Sequence, residues 1–596
     1  MTKREKYFLV YLLGISLIES FTCEENVEVK IKQGLVSGKL EKTFLTGKPY
    51  YSFKGIPYAE PPVGELRFKP PKAPLDWGNK PYEAYTDKPT CVQFCSRTRN
   101  GEEYGISGSE DCLYVNIFTP DLKGSAAVLV FDYHDNFRTG FNGTRTYSPE
   151  FLPEENVVVV TVSHRLGLIG YLTTEDDAIP PNNGVRDYIF ALKWIKENIQ
   201  NFGGDPNRVT LMGSKGGAVL ANILLYSKAA KGLFNSVTIQ SSSAHEAIFF
   251  PHNPRKTAFE IGKHLSIETE DSATLLKELQ NFDAVKILEK EVEVIDDETF
   301  IQYQMSIHPF GPVLEQEGPD AVLTTLPENS KIVNDVPVLI GFNSREGLDL
   351  AQLYFFDPRS FDESKENFFF HFPIRTDFRF DVNNTAFEQF KEELVEFYFK
   401  DGVISYDNLL EYTAYVGDLL QNYALNTAAR KLSSELKSPT FYYMFDFNGL
   451  FNENWMYIAK NSRGYYLETW GAGVADELCY LHVCSRIRIK YLDLKKAVSE
   501  QGEYKVVKKM IRMWANFAKT GNPTPSEKDS VLKNFKWKPI DKNSKDLAYA
   551  HIKKSIKMDV NPLGKRETFW DTTLNKYSQM AVDGVAQKVE STKDEL

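Results

Sequence analysis

Clustered lysine and arginine are missing from this chain of 596 residues, and its net charge is -11. Phosphate binding needs basic residues gathered on one surface, so nucleic acid is excluded as a partner. Long apolar runs are missing too, apart from one near the start. No later stretch approaches the ~20 apolar residues of a membrane-spanning helix. There is no internal repeat, no low-complexity tract and no long Pro/Ser-rich linker, so nothing divides the chain into pieces. Cysteine is scarce, with Cys23, Cys91, Cys95, Cys112, Cys479 and Cys484 the full set. Their spacing alone leaves the connectivity open. What is present is ordinary globular composition, 42% hydrophobic and 25% charged, enough apolar material for a large core rather than a disordered chain.

The two ends carry addresses. Lys3, Arg4 and Lys6 precede the apolar stretch Tyr7 to Ile18, so residues 1–22 read as a signal peptide cut between Ser20 and Cys23. The last four residues, Lys593, Asp594, Glu595 and Leu596, spell KDEL, which the KDEL receptor reads for return to the endoplasmic reticulum. A luminal location is therefore expected, and an oxidising lumen permits disulfides. Asn142 and Asn383 each head a glycosylation sequon.

Between the ends, the pattern is that of an α/β protein. Val27 to Thr46 alternates like short strands. Val128–Phe131 and Val157–Val162 are apolar, β-branched runs suited to buried parallel strands. Arg186 to Gln200 has helical spacing of Ile189, Leu192, Trp194 and Ile195. Val209–Met212 predicts a short strand, followed by small residues and an apolar helix from Ala218. Glu388–Phe399 and Val506–Lys519 predict two further helices, and Phe368–Phe372 an aromatic core or gorge lining. Strands alternating with helices imply a largely parallel sheet.

Five segments carry a resemblance. They are GIPYAEPPVGELRFKPP (Gly55–Pro71), SEDCLYVNIFTP (Ser109–Pro120), HRLGLIGYL (His164–Leu172), the segment Asn182–Gly213, and GFNSREG (Gly341–Gly347). In content and order they resemble the type B carboxylesterases and cholinesterases. The resemblance implies an α/β-hydrolase fold, with a large central, mostly parallel sheet flanked by helices. It implies one domain over residues 23–585. It also implies a Cys91–Cys112 disulfide and buried ion pairs Arg165–Asp187 and Arg67–Glu110.

Fold does not confer function, so the site is read residue by residue. An esterase of this type needs a serine on a strained strand-to-helix elbow between glycines, a histidine base, an orienting carboxylate and an oxyanion hole. Gly213 and Gly217 match the elbow glycines, but Lys215 stands where the serine belongs, and Ser214 lies one place early. Tyr133-His134-Asp135-Asn136 replaces the glycines of the oxyanion loop, so the side chains of His134 and Asp135 are expected to enter that space. Glu346 matches the triad acid. Val474 occupies the position of the base, and His482 falls eight residues later in an expected helix. Lys215 and Glu346 are expected to form a buried ion pair in place of the triad.

The resemblance thus implies a catalytic scaffold without its nucleophile and base. The expected function is a non-catalytic luminal protein that binds a small apolar ligand or a protein client. The alternative is an active type B carboxylesterase using non-standard residues. Neither a cofactor nor a metal is expected.

Overall fold

The computed structural model describes residues 26–95, 105–140, 143–294, 308–349, 377–399, 406–453, 471–496, 502–526 and 528–587, with 302, 304, 306 and 402 besides. The expected signal segment 1–22, Cys23, Asn142, the aromatic run 368–372 and the terminal tetrapeptide 593–596 lie outside the described residues.

The two β-branched runs form the centre of the sheet. All six residues of the Val157–Val162 strand are buried, which requires cover on both faces. Side chains alternate across it, Val158 and Val160 facing one core and Val157 and Val159 the other. Among the described residues the main sheet has fourteen strands. Twelve of them are named here: β1 (Asn26–Ile31), β2 (Gly34–Lys42), β3 (Pro49–Pro57), β4 (Tyr114–Thr119), β5 (Ala126–Asp135), β6 (Val157–Val162), β7 (Gly204–Lys215), β8 (Ser236–Gln240), β9 (Val338–Asn343), β10 (Thr440–Phe445), β11 (Ala548–Ile552) and β12 (Ile556–Val560). Their spatial order is β1-β2-β3-β4-β6-β5-β7-β8-β9-β10-β11-β12. Every pairing from β6 to β11 is parallel. The pairings at the two edges are antiparallel. This is the mostly parallel α/β-hydrolase sheet that the sequence implied.

Helices cover both faces. α1 (Asn183–Asn198) buries Val185, Ile189, Leu192 and Ile195 along one stripe. α2 (Gly216–Tyr226) is buried at every position, so it needs no polar face. α3 (Thr385–Tyr398) starts where the Asn384 side chain accepts a hydrogen bond from the Phe387 N–H at 3.0 Å, an N-cap worth about 1 kcal/mol. α4 (Gly502–Thr520) packs Met510, Trp514 and Phe517 into the second core.

The expected cross-links are present. Cys91 and Cys112 are bonded, and a second disulfide joins Cys479 to Cys484, a pairing the spacing had left open. Cys95 is a free thiol. Arg165 holds Asp187 in a bidentate pair at 2.7 and 2.7 Å, both residues buried. Arg67 holds Glu110 at 2.6 and 2.6 Å. Asn383 is exposed.

Candidate active site

The elbow keeps its shape. β7 runs to Lys215 and α2 begins at Gly216, so strand turns into helix without a loop. Lys215 takes up the reversal at φ 52° and ψ -124°, a conformation that side-chain-bearing residues adopt at a cost of about 1–3 kcal/mol. Glycine is required on either side of it. A Cβ on Gly213 would lie 2.1 Å from the Gly217 carbonyl oxygen, and one on Gly217 would lie 2.3 Å from the Asp132 carbonyl oxygen. The strand extends three residues beyond the predicted Met212, because its edge pairs with the long β5: Gly213 with Asp132, Ser214 with Tyr133, Lys215 with His134.

Beside the elbow, the oxyanion loop has become a hairpin. His134 and Asp135 belong to β5 and pair with Gly140 and Thr139. Asn136 and Phe137 both have positive φ, and the Arg138 N–H closes the turn on the Asp135 carbonyl at 2.9 Å, within a three-residue loop between the paired Asp135 and Thr139. Side chains alternate along the strand. Asp135 therefore reaches Lys215, whereas His134 is buried beside Asp132 and His164. This corrects the expectation that both side chains enter the oxyanion space. Asp135 alone lies against Lys215.

Lys215 is ion-paired, though not to the expected partner. Its Nζ donates to Asp349 Oδ2 at 2.6 Å and to Asp135 Oδ1 at 3.1 Å, with no ion pair to Glu346. Burial alone would lower the Lys215 pKa, but Asp135 and then Asp349 outweigh it and hold the ammonium well above the ordinary lysine value. In turn, burial pushes the Asp135 carboxyl up, and Lys215 overrides it to leave the group below the ordinary aspartate value.

Glu346 is unsuited to pairing with Lys215. Its Oε1 accepts from the Asn343 N–H at 2.6 Å, within its own turn, and the residue is 1% exposed. Burial and then the neighbouring Glu477 push its pKa well above the ordinary glutamate value, favouring the neutral acid. Glu477 is buried as well and accepts from Asn343 Nδ2 and Gln240 Nε2 at 2.5 and 3.1 Å. Among the described residues no imidazole is hydrogen-bonded to Glu346.

Val474 is buried, at the position of the base. His482 lies in a turn after the short 3-10 helix Asp476–Tyr480, not in the expected helix, because the Cys479–Cys484 link closes the chain there. Its ring stacks on Phe131 with centroids 4.3 Å apart, neither ring nitrogen has a hydrogen-bond partner, and burial pushes its pKa down to about 3. It is a packed neutral ring. Ser214 is fully buried and its hydroxyl has no partner, so no base stands within bonding reach of it.

Three neighbours of the elbow were absent from the sequence reading. Asp349 follows Glu346 by three residues and gave no motif signal. Glu246 accepts from the Ser242 hydroxyl and the Ser243 N–H at 2.8 and 2.7 Å, and burial raises its pKa to about 8. His308 is buried, with a pKa pushed down to about 4 by that burial.

Residues 25–570 match the pattern described as the Carboxylesterase family. The chain belongs to the carboxylesterase family. Within it, the chain is 31% identical over 533 residues to Esterase FE4 of Myzus persicae, covering 87% of this chain and 88% of that protein. It is 29% identical over 549 residues to a juvenile hormone esterase of Tribolium castaneum, covering 88% of each. Neuroligin-2 of Mus musculus is 26% identical over 577 residues, covering 88% of this chain and 64% of that protein. Among solved structures, the juvenile hormone esterase from Manduca sexta with OTFP covalently attached superposes with a TM-score of 0.75 at 25% identity. That match covers 92% of this chain and 100% of the other. Family membership thus rests on the whole catalytic scaffold, while the elbow carries a lysine.

Proposed function

We propose that this carboxylesterase-family protein does not hydrolyse esters and instead binds a small apolar ligand or a protein client in the lumen of the endoplasmic reticulum. The observation that carries the reading is the ammonium of Lys215 at the tip of the elbow, tied to Asp349 and Asp135. An ammonium has no lone pair for attack on an acyl carbon, so it serves neither acyl transfer nor Schiff-base chemistry. Losing a triad nucleophile or base alone costs on the order of a millionfold in turnover. The residual rate that survives such a loss comes from the oxyanion hole, whose place here is taken by a strand hairpin. The luminal part of the reading rests on the signal-like residues 1–22 and the KDEL tetrapeptide 593–596. With it go the KDEL receptor as a partner and glycans on Asn142 and Asn383. No helix among the described residues is long and apolar enough to cross a membrane.

The names of the esterase relatives favour a second reading, an active carboxylesterase using other residues. Hydrolysis of a short-chain aryl ester by the purified full chain separates the two. The proposal expects a rate equal to that of a Lys215→Ala variant and of buffer. Saturable turnover by the wild-type chain alone would establish the second reading.

A further inference from the structure

Behind the elbow lies a cluster that the catalytic comparison leaves unexplained. Asp132 and His134 sit near the end of β5, and His164 follows β6 on the neighbouring strand. His134 Nδ1 lies 3.2 Å from Asp132 Oδ2, and His164 Nε2 lies 3.4 Å from the same oxygen. One donor atom from each residue falls within 4.8 Å of the other two, and all three residues are buried. We propose that Asp132, His134 and His164 form a binding site for one divalent transition-metal ion of the zinc class.

The spacing suits an ion. Tetrahedral zinc with bonds of roughly 2.0–2.1 Å sets its ligand atoms about 3.3 Å apart, and the two measured separations bracket that value. The donor set suits it as well, since two imidazoles and one carboxylate are ligands of zinc and of other first-row divalent metals. Asp132 and His134 come from one strand and His164 from the segment directly after the adjacent strand, so two of the three ligands sit on rigid sheet.

Hydrogen bonding within the cluster points the same way. His164 Nδ1 lies 3.3 Å from the Arg165 carbonyl oxygen. Its Nε2 hydrogen-bonds the same Asp132 oxygen at 3.4 Å, and a divalent cation bound between the two would take the place of that proton. Ligating histidines commonly anchor their other ring nitrogen on a backbone carbonyl in this way. His134 is only 1% exposed, yet neither ring nitrogen has an aligned hydrogen-bond partner. The Tyr171 hydroxyl is buried without a partner too, and the Asp132 charge acts on it. Unpartnered buried polar atoms are rare in native proteins and call for an explanation. His134 fits against the elbow only because residue 216 is glycine: a Cβ there would lie 2.4 Å from His134 Cδ2. The site would pin the tip of β5 to the segment after β6, beneath Lys215.

The test uses the full chain, stripped with chelator and then given one equivalent of zinc or cobalt(II). After gel filtration, elemental analysis is expected to find about one zinc per chain, and the cobalt form to show visible ligand-field bands. Asp132→Asn and His164→Gln should weaken zinc binding by about 100-fold or more, beyond the usual effect of losing an outer-shell partner. His551→Ala, in the separate His551–Asp446 pair, should leave zinc binding unchanged. Under a tenth of an equivalent of zinc in the wild-type chain would overturn the proposal. So would full binding in folded Asp132→Asn and His164→Gln. If those variants fail to fold, the cobalt spectrum of the wild-type chain decides: no ligand-field bands means a metal-free imidazolium–carboxylate cluster.

Discussion

Replacing Lys215 with alanine and, separately, with glycine resolves the two forces at the elbow. Alanine removes the ammonium and leaves Asp135 and Asp349 without their shared partner. Breaking a fully buried ion pair costs 3–5 kcal/mol. The two aspartate side chains are 43% and 38% exposed and can rehydrate, so the expected loss is smaller, about 1–3 kcal/mol. Glycine removes the same pair but also relieves the backbone at φ 52°, ψ -124°, worth about 1–3 kcal/mol. Glycine loses more entropy on folding, which takes back about 0.5–1 kcal/mol. Lys215→Gly should therefore unfold at a higher urea concentration than Lys215→Ala by about 1 kcal/mol of stability. The triple variant Lys215→Met, Asp135→Asn, Asp349→Asn should lie closer to wild type than Lys215→Ala does, because no lone charge is left. Urea titrations followed by tryptophan fluorescence measure all four chains. A Lys215→Ala chain as stable as wild type, or a glycine variant weaker than the alanine one, would refute the reasoning.

Two other outcomes follow from the same site. Glu246 keeps its proton up to about pH 8 in the folded chain, whereas an unfolded glutamate loses it near 4.3. Between those values the folded state holds the extra proton, so stability falls as pH rises, by about 1.4 kcal/mol per pH unit at most. Glu246→Gln should flatten that decline in melting curves recorded from pH 5 to pH 8. Rebuilding catalysis should need more than the triad: Lys215→Ser with Val474→His is expected to give no aryl-ester turnover above background. Adding His134→Gly and Asp135→Gly, which opens the strand hairpin, should raise the rate by roughly 100-fold or more per restored donor.

Much of the scaffold was legible because it depends on short-range patterns. The runs Val128–Phe131 and Val157–Val162 are rich in β-branched residues, and every buried place in them but Thr161 is apolar. Gly213 and Gly217 mark the elbow because any Cβ there strikes backbone. The identity of the elbow residue followed from the resemblance, whose motif sets Lys215 between Gly213 and Gly217. Its partner was not legible. Pairing Lys215 with Glu346 followed from the triad pattern, but burial beside Glu477 favours the neutral acid at Glu346. The ammonium turns instead to two partly exposed carboxylates. Asp135 precedes Lys215 by 80 residues and Asp349 follows it by 134, separations that carry no sequence period. The same holds for Asp132, His134 and His164, which only the β6-β5 pairing brings together. His482 was expected in a helix. The five-residue disulfide Cys479–Cys484 imposes a turn there instead.

Active-site labelling tests the central claim most directly. The purified full chain is incubated with an organophosphonate probe that phosphonylates activated serines, and intact mass and peptide mapping then locate any adduct. The account predicts no adduct on any serine of the folded chain, with a catalytically competent esterase labelled one-to-one under the same conditions. Stoichiometric labelling of a single serine, lost on unfolding, would contradict it and establish a working nucleophile beside the lysine-capped elbow.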